Sequence, residues 1–148
     1  MIIGGFDDQG RPFVEGRLAL PSLRVDRSIL FLLDTGADIT CLHTRDSRRA
    51  QIPFNALRSR TYTRGIGGAS RYFRETAIIS FSDGPHTRYY VLELHIAEPN
   101  EANENLPSLL GRNIINKWYM QYDPANDKLD CTVPVSYTHL TLPTILLV

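Results

Sequence analysis

Short apolar segments separated by turn-forming residues set the pattern of this chain, and no long amphipathic helical stretch interrupts them. "RPFVEGRLAL", residues 11–20, alternates apolar and polar positions with the period of a strand, and Pro21 ends it. "SILFLLD", residues 28–34, is a continuous apolar run of strand length, which predicts a strand covered on both faces. "DITCLH" resumes the apolar pattern after Gly36. "TRDSRRAQI", residues 44–52, is polar with Thr44 as a candidate N-cap and predicts one short helix. "TYTRGIGGASRYFRETAIISF", residues 61–81, predicts a hairpin with glycines at its tip. "DGPH" is a turn, "TRYYVLELHIAE" another strand, and "PNEANENLP" a polar loop. "SLLGRNIINKW" begins as a short strand and becomes a helix with Ile114, Ile115 and Trp118 on one side. "YMQYDPANDKLDCTV" predicts a last hairpin turned at Pro124 to Asp127. Many short strands and one or two short helices point to an all-β fold, a closed barrel-like domain.

Composition narrows the function classes. A chain of 148 residues suits one domain with its own core. Lys plus Arg and Asp plus Glu are 16 each, so no charge excess points to nucleic acid or to an anionic membrane. No apolar run is long enough for a bilayer-spanning helix. "MIIGGFDDQG" lacks the basic and apolar regions of a signal peptide, which implies a cytoplasmic location if this N-terminus is native. Cys41 and Cys131 sit in no CxxC or Cys/His cluster, so no metal is expected and free buried thiols are. The segment "VSYTHLTLPT", residues 135–144, resembles the translation of a synthetic transposase adapter used to build DNA sequencing libraries. That resemblance implies a native domain over residues 1–134 and a non-native tail over 135–148.

The chemistry centres on "LFLLDTGADITCLH", residues 30–43. A carboxylate at a buried strand end is costly unless it is hydrogen-bonded, paired or used. Gly36 permits a tight turn that brings backbone close to Asp34, and the Thr35 hydroxyl can both donate and accept. One aspartate alone is a poor catalyst of amide hydrolysis. Two close together share a proton, so that one acts as base toward water while the other acts as acid toward the carbonyl oxygen. Only one DTG occurs in the chain. A pair therefore needs a second copy related by a two-fold axis.

Three motifs then resemble, in order, those of the retropepsins, the single-domain homodimeric aspartic proteases of retroviruses and their bacterial relatives. "DTGAD" at Asp34–Asp38 is similar to the catalytic motif, "GIGG" at Gly65–Gly68 to the glycine-rich flap, and "LLGRN" at Leu109–Asn113 to the segment opening the C-terminal helix. The resemblance implies a one-lobe acid-protease barrel and a homodimer that hydrolyses polypeptide without a cofactor. Asp34 would be the catalytic carboxylate. Thr35 would make a hydroxyl contact across the dimer axis, and Gly36 would place its amide near the carboxylate. Ala37 and Asp38 would line the substrate, with Asp38 paired to Arg112 and Asn113 in structural support. Gly65, Ile66, Gly67 and Gly68 would form the flap. Beyond LLGRN the chain continues through "INKWYMQYDPANDKLDCTV", which is more like the bacterial relatives, so the retroviral dimer sheet is not carried over. A protease-like dimer that binds peptides without cutting them is the alternative reading. The intact DTG favours catalysis. His43, His86 and His95 are expected at strand ends or surfaces with no catalytic role, and Trp118 in the core.

Overall fold

The order of elements follows the alternation of apolar and turn-forming segments. In the computed structural model, which describes residues 1–65 and 68–134, these are β1 (Ile2–Ile3), β2 (Gly5–Phe6), β3 (Pro12–Leu20), β4 (Val25–Leu33), β5 (Cys41–Leu42), α1 (Thr44–Arg49), β6 (Ser59–Gly65), β7 (Gly68–Asp83), β8 (His86–Ala97), β9 (Leu109–Leu110), α2 (Arg112–Ile115), β10 (Tyr119–Asp123) and β11 (Lys128–Thr132). The adapter-like tail lies outside the described residues.

The strands β3, β4, β9, β5, β8 and β7 hydrogen-bond in that order, and β7 pairs back onto β3 through Arg17–Ser80, Leu18–Ile79 and Ala19–Ile78. This closes a six-stranded barrel, and closure removes the free sheet edges that an open sheet would expose. The fold is thus the all-β closed barrel with two short helices that the pattern predicts. A separate sheet of order β1-β11-β10 packs beside it.

Alternation decides which side chains enter the core. On β4 the buried residues are Val25, Ile29, Phe31 and Leu33, whereas Leu30 is 50% exposed. The expectation of a strand covered on both faces is corrected here: only one face of β4 meets the barrel interior, and the run of leucines continues across the outer face. Phe31, Leu18, Ile79, Leu94 and Leu110 are fully buried, each contributing roughly 1.5–3 kcal/mol from side-chain burial. Gly16 is needed for closeness: a Cβ there would lie 2.9 Å from the Phe81 ring and 3.2 Å from Phe31.

Local chemistry explains the remaining elements. Helix α1 starts one residue earlier than Thr44 capping would require. His43 occupies the N-cap with extended backbone, and Thr44, fully buried, hydrogen-bonds Asn103 Oδ1 at 2.5 Å. Competition from that tertiary bond overrides the local capping preference. The loop after β8 is held by a capping box in which Asn100 and Asn103 exchange bonds. Helix α2 buries Ile114 and Ile115, and Trp118 follows into the core, its indole N–H donating to Tyr90 Oη at 2.8 Å and its ring edge-on to Phe81. Cys41 and Cys131 are free and buried, as expected.

Candidate active site

Asp34 stands at the C-terminal end of β4, where the chain leaves the barrel wall. Parallel pairing of Leu32 with Leu109 and Leu33 with Leu110 sets β9 alongside. The Asp34 amide donates to Leu110 O at 3.0 Å, continuing the ladder by one residue. The turn then folds back: the Gly36 amide donates to Asp34 Oδ1 at 2.9 Å and the Ala37 amide to Asp34 O at 3.1 Å. One oxygen of Asp34 is therefore fixed by backbone. A Cβ on Gly36 would come within 3.2 Å of that oxygen.

The LLGRN segment clamps this turn. Arg112 donates its amide to Ala37 O at 2.8 Å and its guanidinium Nη1 to Thr35 O at 2.7 Å. Asn113 donates its amide to Asp38 O, and its side-chain Oδ1 accepts from both Thr40 N (3.1 Å) and Thr40 Oγ1 (2.8 Å). Thr40 Oγ1 in turn accepts from the Gly111 amide at 3.1 Å. Gly111 permits the crossing, since a Cβ there would sit 2.6–2.9 Å from the Ile39 backbone. Two segments more than seventy positions apart are thus laced into one unit, with Thr40 fully buried at its centre.

Asp38 and Arg112 form the ion pair that the resemblance implies, but it is not buried. The Asp38 side chain is 79% exposed and that of Arg112 39%. The pair therefore sits in solvent in the single chain, where such contacts stabilise by about 1 kcal/mol or less.

A hollow of about 280 Å³ opens beside the turn, lined among others by Ala37, Ile39, Leu109, Tyr72 and His95. Asp38 also lines it; a bigger hollow of about 500 Å³, lined by Ile2, Gly16, Phe81 and neighbours, touches none of the motif residues. His95 lies near the C-terminal end of β8, two residues before Ala97. It is partly buried, opposite Cys41 on β5, with its ring 5.7 Å from that of Tyr72. Burial lowers its pKa, with nearby Arg74 adding to the effect and Glu93 opposing it. His43 is buried and its Nδ1 donates to Pro107 O at 2.6 Å, a structural role. Cys41, in the same wall, has its thiol pushed up to about 12 by burial, so it is no nucleophile.

Of the flap residues, Gly65 and Gly68 pair across the β6–β7 hairpin. Ile66 and Gly67 lie outside the described residues. Residues that the motif reading missed are Thr40, Asp46 and Ser108. Buried Asp46 accepts from Ser108 Oγ at 2.6 Å, and Ser108 Oγ accepts from the His43 amide, which fixes the strand entering β9 against α1.

A closed β-barrel with an aspartate presented on a DTG turn, clamped by a glycine–arginine–asparagine helix start, defines the acid-protease class. The sequence matches the family model of the retroviral aspartyl proteases over residues 9–122, and the chain belongs to that family of aspartic endopeptidases. A retropepsin-like aspartic protease from Rickettsia conorii has a similar structure, with TM-score 0.59 and 18% identity over 86% of this chain and 95% of that one. The EIAV protease in complex with an inhibitor is similar with TM-score 0.51 and 23% identity over 75% of this chain and 90% of that one. A search of curated proteins gives no significant match.

Proposed function

We propose that two copies of the chain bring their Asp34 side chains together across a two-fold axis and hydrolyse peptide bonds in extended polypeptides. The observation that carries this reading is the Asp34 turn itself. One carboxylate oxygen is occupied by the Gly36 amide, and the acid is supplied once per chain. Two such carboxylates a few ångströms apart hold one proton between them, because both cannot ionise easily. The ionised one takes a proton from a water, whose oxygen attacks the scissile carbonyl carbon. The protonated one gives its proton to the carbonyl oxygen. The tetrahedral intermediate then collapses, its C–N bond breaks, and the leaving amine takes up a proton.

The surroundings fit an extended substrate. Such a chain offers backbone groups at every residue and side chains to alternate sides. The β6–β7 hairpin, with Gly65 and Gly68 near its tip, supplies backbone, and the hollow lined by Ala37, Ile39, Leu109, Tyr72 and His95 suits a large side chain. Asp38, paired with Arg112, also lines it.

Cleavage of a denatured protein at weakly acidic pH tests the reading. Wild type cuts and is blocked by a statine-type inhibitor. Asp34→Asn, whose amide cannot share the proton, folds but does not cut. A purified Asp34→Asn protein cleaving at near wild-type rate under single-turnover conditions would overturn it.

A further inference from the structure

We infer that the cleft beside Asp34 takes acidic polypeptide, segments rich in Asp and Glu, drawn in by the arginines of the β6–β7 hairpin. The inference rests on the peptide-cleaving reading above and adds the chemistry of the substrate.

Residues 58–74 carry five arginines, Arg58, Arg60, Arg64, Arg71 and Arg74, and no Asp or Glu. Over the whole chain the two signs balance at 16 each, so the other residues hold an excess of acid. Several arginines elsewhere are matched close at hand: Arg17 with Asp26 at 2.7 Å, Arg88 with Asp83 at 2.7 Å and Arg11 with Asp7 at 2.8 Å. Arg74 meets Glu93 at 3.8 Å, a loose and solvent-exposed pair of little strength. Glu75, Glu93 and Glu98 stand at the base of the hairpin, and the arginines outnumber them. Arg58, Arg60, Arg71 and Arg74 are all exposed.

The placement of this charge points to the cleft. Strands β6 and β7 pair from Ser59–Arg74 out to Gly65–Gly68, whereas the β7–β8 ladder starts at Tyr72–Ala97. Beyond Arg71, among the described residues, the hairpin pairs only with itself, so its arginines ride on a two-stranded ribbon. Arg60 lies over the Phe73 ring at 5.3 Å, which holds its charge at the surface. At the base, Arg74 is directly opposite His95 in the ladder, so the two share a face of the sheet. His95 lines the hollow beside the Asp34 turn together with Tyr72 and Cys41. Arg74 thus stands next to the wall against which a substrate side chain would rest. Asp38, in the same hollow, is matched by Arg112 and leaves the charge of the hairpin uncancelled. Charge of one sign over a cleft concentrates chains of the other sign there and repels its own. A polypeptide fits better than another polyanion, because Ala37, Ile39 and Leu109 give the hollow apolar walls that suit a side chain and offer nothing to a phosphate.

Fluorescence anisotropy on the Asp34→Asn protein, which leaves peptides uncut, tests this with two labelled peptides of one sequence, the first carrying Asp and Glu and the second Asn and Gln at the same places. At about 50 mM salt the acidic peptide is expected to bind about tenfold more tightly, and the gap to close at about 1 M, where charges are screened beyond about 3 Å. Replacing both arginines, Arg71→Gln with Arg74→Gln, is expected to remove most of the gap. Arg17→Gln, which takes a charge from beside Ser80 at the other end of β7, is expected to keep it. In the active protein the ratio of kcat/KM for the two peptides follows the same pattern. Should the double variant fail to fold by circular dichroism, the salt dependence with the arginines intact decides. Equal binding of the two peptides at low salt, a gap indifferent to salt, or a folded double variant that keeps the whole gap overturns the inference. So does a single-stranded oligonucleotide of matched charge that displaces the acidic peptide as well as that peptide itself does, since the hairpin would then be a site for any polyanion. An acidic peptide bound as expected yet never cut supports the charge preference and refutes the dyad reading. Two peptides cut with equal kcat/KM support the dyad reading and refute the charge preference.

Discussion

Replacing Asn113 by Ala removes the acceptor at the centre of the clamp on the Asp34 turn. Asn113 Oδ1 takes bonds from Thr40 N at 3.1 Å and Thr40 Oγ1 at 2.8 Å, and Thr40 is wholly buried. The variant leaves the Thr40 amide without that acceptor at a cost of about 1–3 kcal/mol, and the lost hydroxyl bond adds about 1 kcal/mol. The sum is roughly 2–4 kcal/mol, or about 6–12 °C in Tm at about 3 °C per kcal/mol for a domain of this size. Activity should fall further than stability, because Asp38 O and Ala37 O are held from the same helix start. Asn113→Asp keeps an oxygen in place and should recover most of the loss. The assay is thermal unfolding in the Asp34→Asn background, paired with kcat/KM in the active one. A loss below about 0.5 kcal/mol, or an Asp variant no better than Ala, refutes the argument that these two bonds hold the turn.

Other substitutions probe separate parts of the account. Arg112→Met should cost about 2 kcal/mol, from the charge-assisted bond to Thr35 O and a solvent-exposed ion pair, since Asp38 is not left buried; a denaturant-unfolding loss above about 4 kcal/mol would mean the pair behaves as a buried one. Burial alone would raise the Asp83 carboxyl, but bonds from the Met1 amino group and Arg88 outweigh it and hold it below the ordinary value. Its stabilisation is therefore present above the unfolded carboxylate range and is lost as pH falls through the folded value. The stability gap between wild type and Asp83→Asn should accordingly narrow as pH drops below about 4, and a gap that widens contradicts it. Cys41, buried with its thiol pushed up to about 12, should resist alkylation in the native protein and react only on unfolding, as mass spectrometry of quenched samples would show.

Much of this architecture was legible in the residues. Apolar alternation gave the strands, and Pro, Gly and Asn-rich stretches gave their ends, because turn chemistry is local. The DTGAD and LLGRN motifs marked the Asp34 turn and the helix beside it, since both need particular residues for close backbone approach, as the space at Gly111 shows. Solvent exposure was less legible. The run Leu30–Leu33 looks the same whether one or both faces are covered, and Asp38 beside Arg112 looks the same buried or wet; only the surrounding barrel decides. The Thr40–Asn113 and Asp46–Ser108 bonds join distant segments and leave no local signature. Thr44 shows the opposite conflict, a good capping residue drawn inward by Asn103.

Subunit mixing tests the central claim most directly. Wild type and Asp34→Asn are unfolded together, refolded in varying ratio at fixed total concentration, and assayed for peptide cleavage. If each active site takes one Asp34 from each copy, only wild-type pairs cut, and activity follows the square of the wild-type fraction, about a quarter at an equal mixture. Activity that instead falls in simple proportion to the wild-type fraction, while sedimentation shows mixed dimers, would mean that one chain carries a complete site.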